Sequence, residues 1–122
     1  MNVQVSEKDN SKVAVIKSSD ILINNTQDAL DLMATVRHMY DCDKMVLSKA
    51  AITESFFDLK TGIAGEILQK YTNYNMKIAI IGDYESYTSK SLKDFIYESN
   101  KGSQAFFLGD EEEAIERLHE AG

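Results

Sequence analysis

A 122-residue chain with 43% hydrophobic and 27% charged residues has the composition of one folded domain with its own core, not of a disordered segment. Its formal charge of −7, without any run of Lys or Arg, opposes binding to nucleic acid and to anionic membranes, since both polyanions would repel it. The single cysteine, Cys42, excludes an intrachain disulfide and suits a reducing, cytoplasmic setting; Asp41 and Asp43 beside it disfavour a thiolate, so it reads as inert.

In chain order, the start at Met1–Val5 lacks the basic region and apolar stretch of a signal peptide. Val3–Val5 and Lys12–Lys17 have strand character, and the turn-forming cluster Glu7–Ser11 between them predicts a hairpin. Ile21–Ile23 is expected to be an extended, partly buried connection. Asn25 or Thr26 can cap a first helix, in which Ala29, Leu32, Met33, Val36 and Tyr40 recur at helical spacing. Lys44–Ser48 reads as a strand. After a polar segment a second helix is predicted over Ile63–Tyr74, with Ile63, Ile67, Leu68 and Tyr71 inward. Met76–Ile81 has no polar face in its apolar run and is expected to be an inner strand, parallel to Lys44–Ser48.

Gly82-Asp83 ends that strand. A third helix carries Leu92, Phe95 and Ile96 on its apolar face and stops at Asn100-Lys101-Gly102. Ala105–Leu108 is a short strand. Asp110 caps a last helix, Glu111–Ala121, whose thin face of Ala114, Ile115 and Leu118 predicts the least firmly held element. The expected architecture is α/β, in the order β-β-α-β-α-β-α-β-α, with a mixed but mainly parallel sheet flanked by helices. No linker interrupts it, so residues 1–122 read as one domain.

Candidate chemistry centres on the corner ahead of the second helix. A helix N-terminus offers unpaired N–H groups and a partial positive charge, so Thr61-Gly62-Ile63-Ala64-Gly65 could hold an anion, or a phosphate on Thr61. The plain alternative makes Thr61 a simple N-cap and has the two glycines let the helix pack closely on the sheet. The GxxxxGK[ST] pattern of a phosphate loop is absent. Lys49, Glu54, Asp58, Lys60 and Glu66 are a second set, capable of acid–base work but ordinarily solvated.

Phe56-Phe57 are adjacent in a loop, and one of the two is expected to be exposed. Tyr84, Tyr87, Ser89, Lys90, Lys93 and Tyr97 cluster around the third helix as a polar, aromatic surface suited to a protein partner. His38 and His119 are not read as metal ligands, and no metal or cofactor is expected.

The order of elements, the Asp58…Thr61-Gly62 corner and the closing Phe107-Leu108-Gly109-Asp110-Glu111-Glu112-Glu113-Ala114 resemble STAS domains, the group that contains anti-sigma-factor antagonists. Closer still is the resemblance to bacterial STAS-like proteins of unknown activity that carry Phe57-Asp58-Leu59-Lys60-Thr61-Gly62. The resemblance implies a partner-binding module whose corner, Asp-Ser-Ser-Gly in many members, is phosphorylated on a serine. Here the corner is one residue longer and has Lys60-Thr61 in place of the serine pair, which puts Thr61 at the phosphorylatable position.

The function expected is that of a non-enzymatic regulatory module. It would dock another protein, or a second copy of the chain, at Asp58, Lys60, Thr61, Gly62, Gly65 and Glu66. Small-molecule or anion binding at Thr61–Gly65 is the alternative, and an enzyme using Glu54, Asp58 and Lys60 the third. A Thr61→Glu change is expected to be tolerated by the fold.

Overall fold

The computed structural model describes the whole of residues 1–122. A five-stranded sheet, with β1 (Asn2–Lys8), β2 (Ser11–Lys17), β3 (Lys44–Ser48), β4 (Lys77–Ile81) and β5 (Ala105–Leu108), runs in the spatial order β1-β2-β3-β4-β5. β1 and β2 are antiparallel, joined by the two-residue turn Asp9-Asn10; the remaining neighbours are parallel. Most of the expected turn cluster is therefore strand, with Asp9 in the left-handed region supplying the reversal. The inner-strand reading of the Met76–Ile81 run holds: Lys44↔Lys77 through Ser48↔Ile81 are in parallel register, and Ile78, Ala79 and Ile80 are buried.

Alternation along the strands divides the core in two. Ala14, Ile16, Met45, Leu47, Ile78, Ile80, Ala105 and Phe107 face one way, toward α1 (Thr26–Tyr40), α2 (Ile63–Asn73) and α3 (Lys90–Lys101). Val13, Val15, Val46, Ala79 and Phe106 face the other way, toward α4 (Glu111–Glu120) alone. Three helices thus share one layer and one helix makes the other. Asn25 caps α1 by accepting from the Asp28 N–H, and Asp41 closes it in the left-handed region. Ile23 is buried and bridges to Ile52, which fixes the connection before α1.

Two expectations are corrected here. α4 is not loosely held: Ala114 and Leu118 are fully buried, because this helix crosses the middle of a sheet face that no other element covers. And Phe56 and Phe57 both bury. Glu54–Phe57 is a 3₁₀ turn, so successive side chains leave it about 120° apart and reach different neighbours. Phe56 packs toward Phe107, and Phe57 toward Tyr84 and Tyr87.

Two further 3₁₀ turns, Lys49–Ala51 and Leu59–Thr61, complete the passage from β3 to α2, which the expected order had left as plain loop. No helix is long and apolar enough to cross a membrane.

Candidate functional site

The corner at Asp58–Gly62 is a closed set of local bonds. Asp58 Oδ1 accepts from the Lys60 N–H, the Thr61 N–H donates to the Asp58 carbonyl, and the Gly62 N–H donates to that of Leu59. The Thr61 hydroxyl lies 2.9 Å from the Ser55 carbonyl and 2.8 Å from that of Asp58, so its one proton serves these two acceptors. Its oxygen then accepts from the Ile63 N–H at 3.3 Å.

The N-cap position of α2 belongs to Gly62, at φ 77°, not to Thr61. Thr61 ties the turn before the helix to the helix's first N–H. That geometry also bears on modification, since a phosphate would delete the donor and set negative charge against two carbonyl oxygens.

Asp58, Lys60, Thr61, Gly62, Gly65 and Glu66 are all exposed, beyond the carboxyl end of β3. Close packing of the two glycines on the sheet is not found: a Cβ at Gly62 or Gly65 would meet nothing within 4 Å. Gly62 is required by its left-handed backbone. Gly65 has no such requirement; it lies in helical backbone in the first turn of α2 and faces open space.

Next to the corner, Lys49 and Glu54 do come together, though Asp58 and Lys60 do not join them. Tyr87 donates its phenol proton to Glu54 Oε2 at 2.6 Å, Lys49 Nζ lies 3.6 Å from Glu54 Oε1, and the same ammonium sits 4.9 Å from the Tyr87 ring centre and 5.5 Å from that of Phe57. Contact with Tyr87, then Glu54, holds the Lys49 ammonium above the usual lysine range, while burial and the bond to Glu54 raise the Tyr87 phenol. Gly82 makes room for this arrangement, as a Cβ there would stand 2.7 Å from the Lys49 side chain.

The buried Phe57 ring, next to the corner in sequence, packs on Tyr84 and Tyr87 and so ties this cluster to the Tyr84–Ser89 loop. Tyr97, Lys90 and Lys93 are exposed farther along α3, where Lys101 covers the Tyr97 ring at 4.3 Å. Glu54 is an exposed carboxylate like Asp58, and the three main clefts of the molecule are lined by residues outside 49–66. Cys42 is buried, its thiol raised chiefly by burial and donating to the Tyr40 carbonyl at 3.3 Å, in line with an inert side chain.

At the other end of the sheet lies a polar array that sequence reasoning passed over. Lys44, Ser11, His119 and Ser6 are linked in series by side-chain hydrogen bonds. One signal was legible: Lys44 occupies a position in β3 in phase with Val46, on a face that must be buried. His119 gave none, because its partners lie 108 and 113 residues away.

A family model described as a domain of unknown function, DUF4180, matches residues 8–118. No curated protein and no solved structure matches the chain.

Proposed function

The chain belongs to the DUF4180 family, a domain of unknown function, and we propose that it is a STAS-like, non-enzymatic regulatory module. It binds another protein through the corner and helix face from Asp58 to Glu66. The STAS-like reading is supported by the order of strands and helices and by a polar corner placed between the third strand and the second helix.

The observation that carries the docking site is Gly65. An exposed glycine in helical backbone costs up to about 1 kcal/mol relative to alanine. No turn, left-handed φ or internal contact in this molecule offsets that cost. A residue without a side chain on an open helix face lets a second backbone approach closely. The corner beside it is already held by its own hydrogen bonds, so little ordering remains to oppose association. Exposed carboxylates at Asp58 and Glu54, and the placing of the main clefts elsewhere, favour an open partner surface over a catalytic or ligand pocket.

The test uses two substitutions at one position. Gly65→Ala should stabilise the fold by about 0.5–1 kcal/mol in a urea melt and weaken partner binding several-fold, because its Cβ holds off the second backbone. Gly65→Arg should stay folded, since nothing occupies the space, and weaken binding roughly tenfold or more, the scale of one contact residue lost near an interface centre. The partner is the protein retained by the parent and lost by Gly65→Arg in quantitative capture from the native cell, then titrated directly; sedimentation of the parent alone reports whether that partner is a second copy. Equal affinity of all three proteins would remove the interface from this corner.

A further inference from the structure

Lys44 begins β3 on the α4 side of the sheet and is 5% exposed, an unusual position for an ammonium. It belongs to none of the six ion pairs in the molecule. Its Nζ donates to Ser11 Oγ at 2.8 Å. Ser11 Oγ is 2.8 Å from His119 Nδ1, and His119 Nε2 is 3.0 Å from Ser6 Oγ. An ammonium can only donate, so Lys44 donates to Ser11; the neutral His119 ring has one N–H, which goes to one of the two serine hydroxyls while its other nitrogen accepts from the other. One donor of Lys44 is thereby used, and a buried cation without a counter-charge is left at the wall of a cleft.

That cleft, of about 870 Å³, has no hydrophobic lining residue. Lys77 also opens on it, its Nζ bonded only to the Ser103 carbonyl at 2.7 Å. The acidic side chains of the cleft, Asp9, Asp43 and Glu120, are exposed and pair with none of its lysines, so water screens them, while the Lys44 side chain is buried.

We propose that the cleft at the amino end of the sheet binds a small free oxyanion, sulfate- or phosphate-like, with Lys44 as principal ligand and Ser11, His119 and Lys77 around it. A polyanion or an anionic membrane would meet the rest of a surface of net charge −7; a small free anion need not. The site is independent of the docking corner, which lies at the opposite, carboxyl end of β3.

His119 supplies a second readout. Burial first, then Lys44 and Lys8, keep its imidazole below the ordinary histidine range, against the weaker upward pull of Glu116 and Asp9. An anion in the cleft beside Lys44 and His119 offsets the repulsion by Lys44 and draws a proton onto the ring.

The experiment is a sulfate titration of the intact protein followed by NMR, chosen because sulfate keeps one charge state through the range in which histidine titrates. Amide shifts at Ser11, Lys44, Lys77 and His119 should saturate with one dissociation constant, and the His119 ring should titrate at higher pH in sulfate than in its absence. Lys44→Met should stay folded and bind roughly thirtyfold more weakly or worse, the consequence of losing a buried charge-assisted contact. Lys77→Met, at the half-buried rim, should weaken binding several-fold and serves if Lys44→Met fails to fold. Methyl phosphate in place of sulfate distinguishes a phosphate borne on a larger molecule, which it would match or exceed, from the free inorganic ion. Shifts that grow without saturation, a His119 titration unmoved by sulfate, or parental affinity in a folded Lys44→Met or Lys77→Met variant would each overturn the proposal.

Discussion

Thr61 illustrates how far one residue's role depends on where its proton goes. Its hydroxyl donates backward to the Ser55 and Asp58 carbonyls, holding the turn Leu59–Thr61 against the preceding 3₁₀ turn. Thr61→Val keeps the shape and removes the donor, and should cost about 1 kcal/mol in a urea melt, the net worth of one intramolecular hydrogen bond. Thr61→Ser should lie within a few tenths of the parent. A Thr61→Val melt identical to the parent would show that backbone bonds alone hold the corner. Thr61→Glu, expected from the sequence to be tolerated by the fold, loses the same donor and should cost at least as much as Thr61→Val. Asp58, Thr61 and Gly62 were legible as a corner from their residue types and their place before a helical pattern. The direction of the hydroxyl was not, because its acceptor at Ser55 is set by a 3₁₀ turn that hydrophobic periodicity does not reveal.

Among the elements, α4 departs most from its sequence reading. A stripe of three apolar residues in ten looks weak, yet the sheet face opposite it is just as narrow, formed by Val13, Val15, Val46, Ala79 and Phe106. The helix matches the width of what it covers. Leu118→Ala should therefore cost about 3 kcal/mol, as for a fully buried leucine in a well-packed core, measured as a lower denaturation midpoint at unchanged slope. A loss under about 1 kcal/mol would return α4 to the status of a loosely docked tail. The same scale shows how the edge of β5 is managed: Asn100, at the end of α3, donates to the Phe107 carbonyl at 3.0 Å and accepts its N–H at 2.7 Å, substituting for a sixth strand. Asn100 reads in the sequence only as part of a helix stop.

For the whole molecule, the two ends of the sheet carry different electrostatics. The carboxyl end holds the Lys49–Glu54–Tyr87 cluster and the exposed corner; the amino end holds Lys44 and His119. His119 is held below its ordinary value of 6.5 in the folded protein, so between that lowered value and 6.5 the unfolded chain binds more protons than the native one. Its contribution to stability is fully present above 6.5 and is lost as pH falls through the lowered value. In sulfate-free buffer the melting temperature should fall between neutral and mildly acidic pH, and His119→Gln should flatten that slope. A parent and a His119→Gln variant with the same pH dependence in this window would place the titration elsewhere.

By itself the sequence determined the five strands and four α-helices, the antiparallel start, a parallel inner strand in the Met76–Ile81 run and the polar corner before α2. Each rests on local physics: side-chain periodicity, capping groups and the absence of a polar face act over a few residues and can be read from neighbours in the chain. Tertiary structure alone decided the rest. It buried both Phe56 and Phe57, turned Gly65 to open space and gave α4 a face of its own. It also gathered Ser6, Ser11, Lys44 and His119 from the hairpin, β3 and the last turn of α4. Those outcomes depend on which side chains meet across distances of up to 113 residues. Such meetings are set by sheet order and by the course of loops without periodicity, neither of which leaves a mark on the residues concerned.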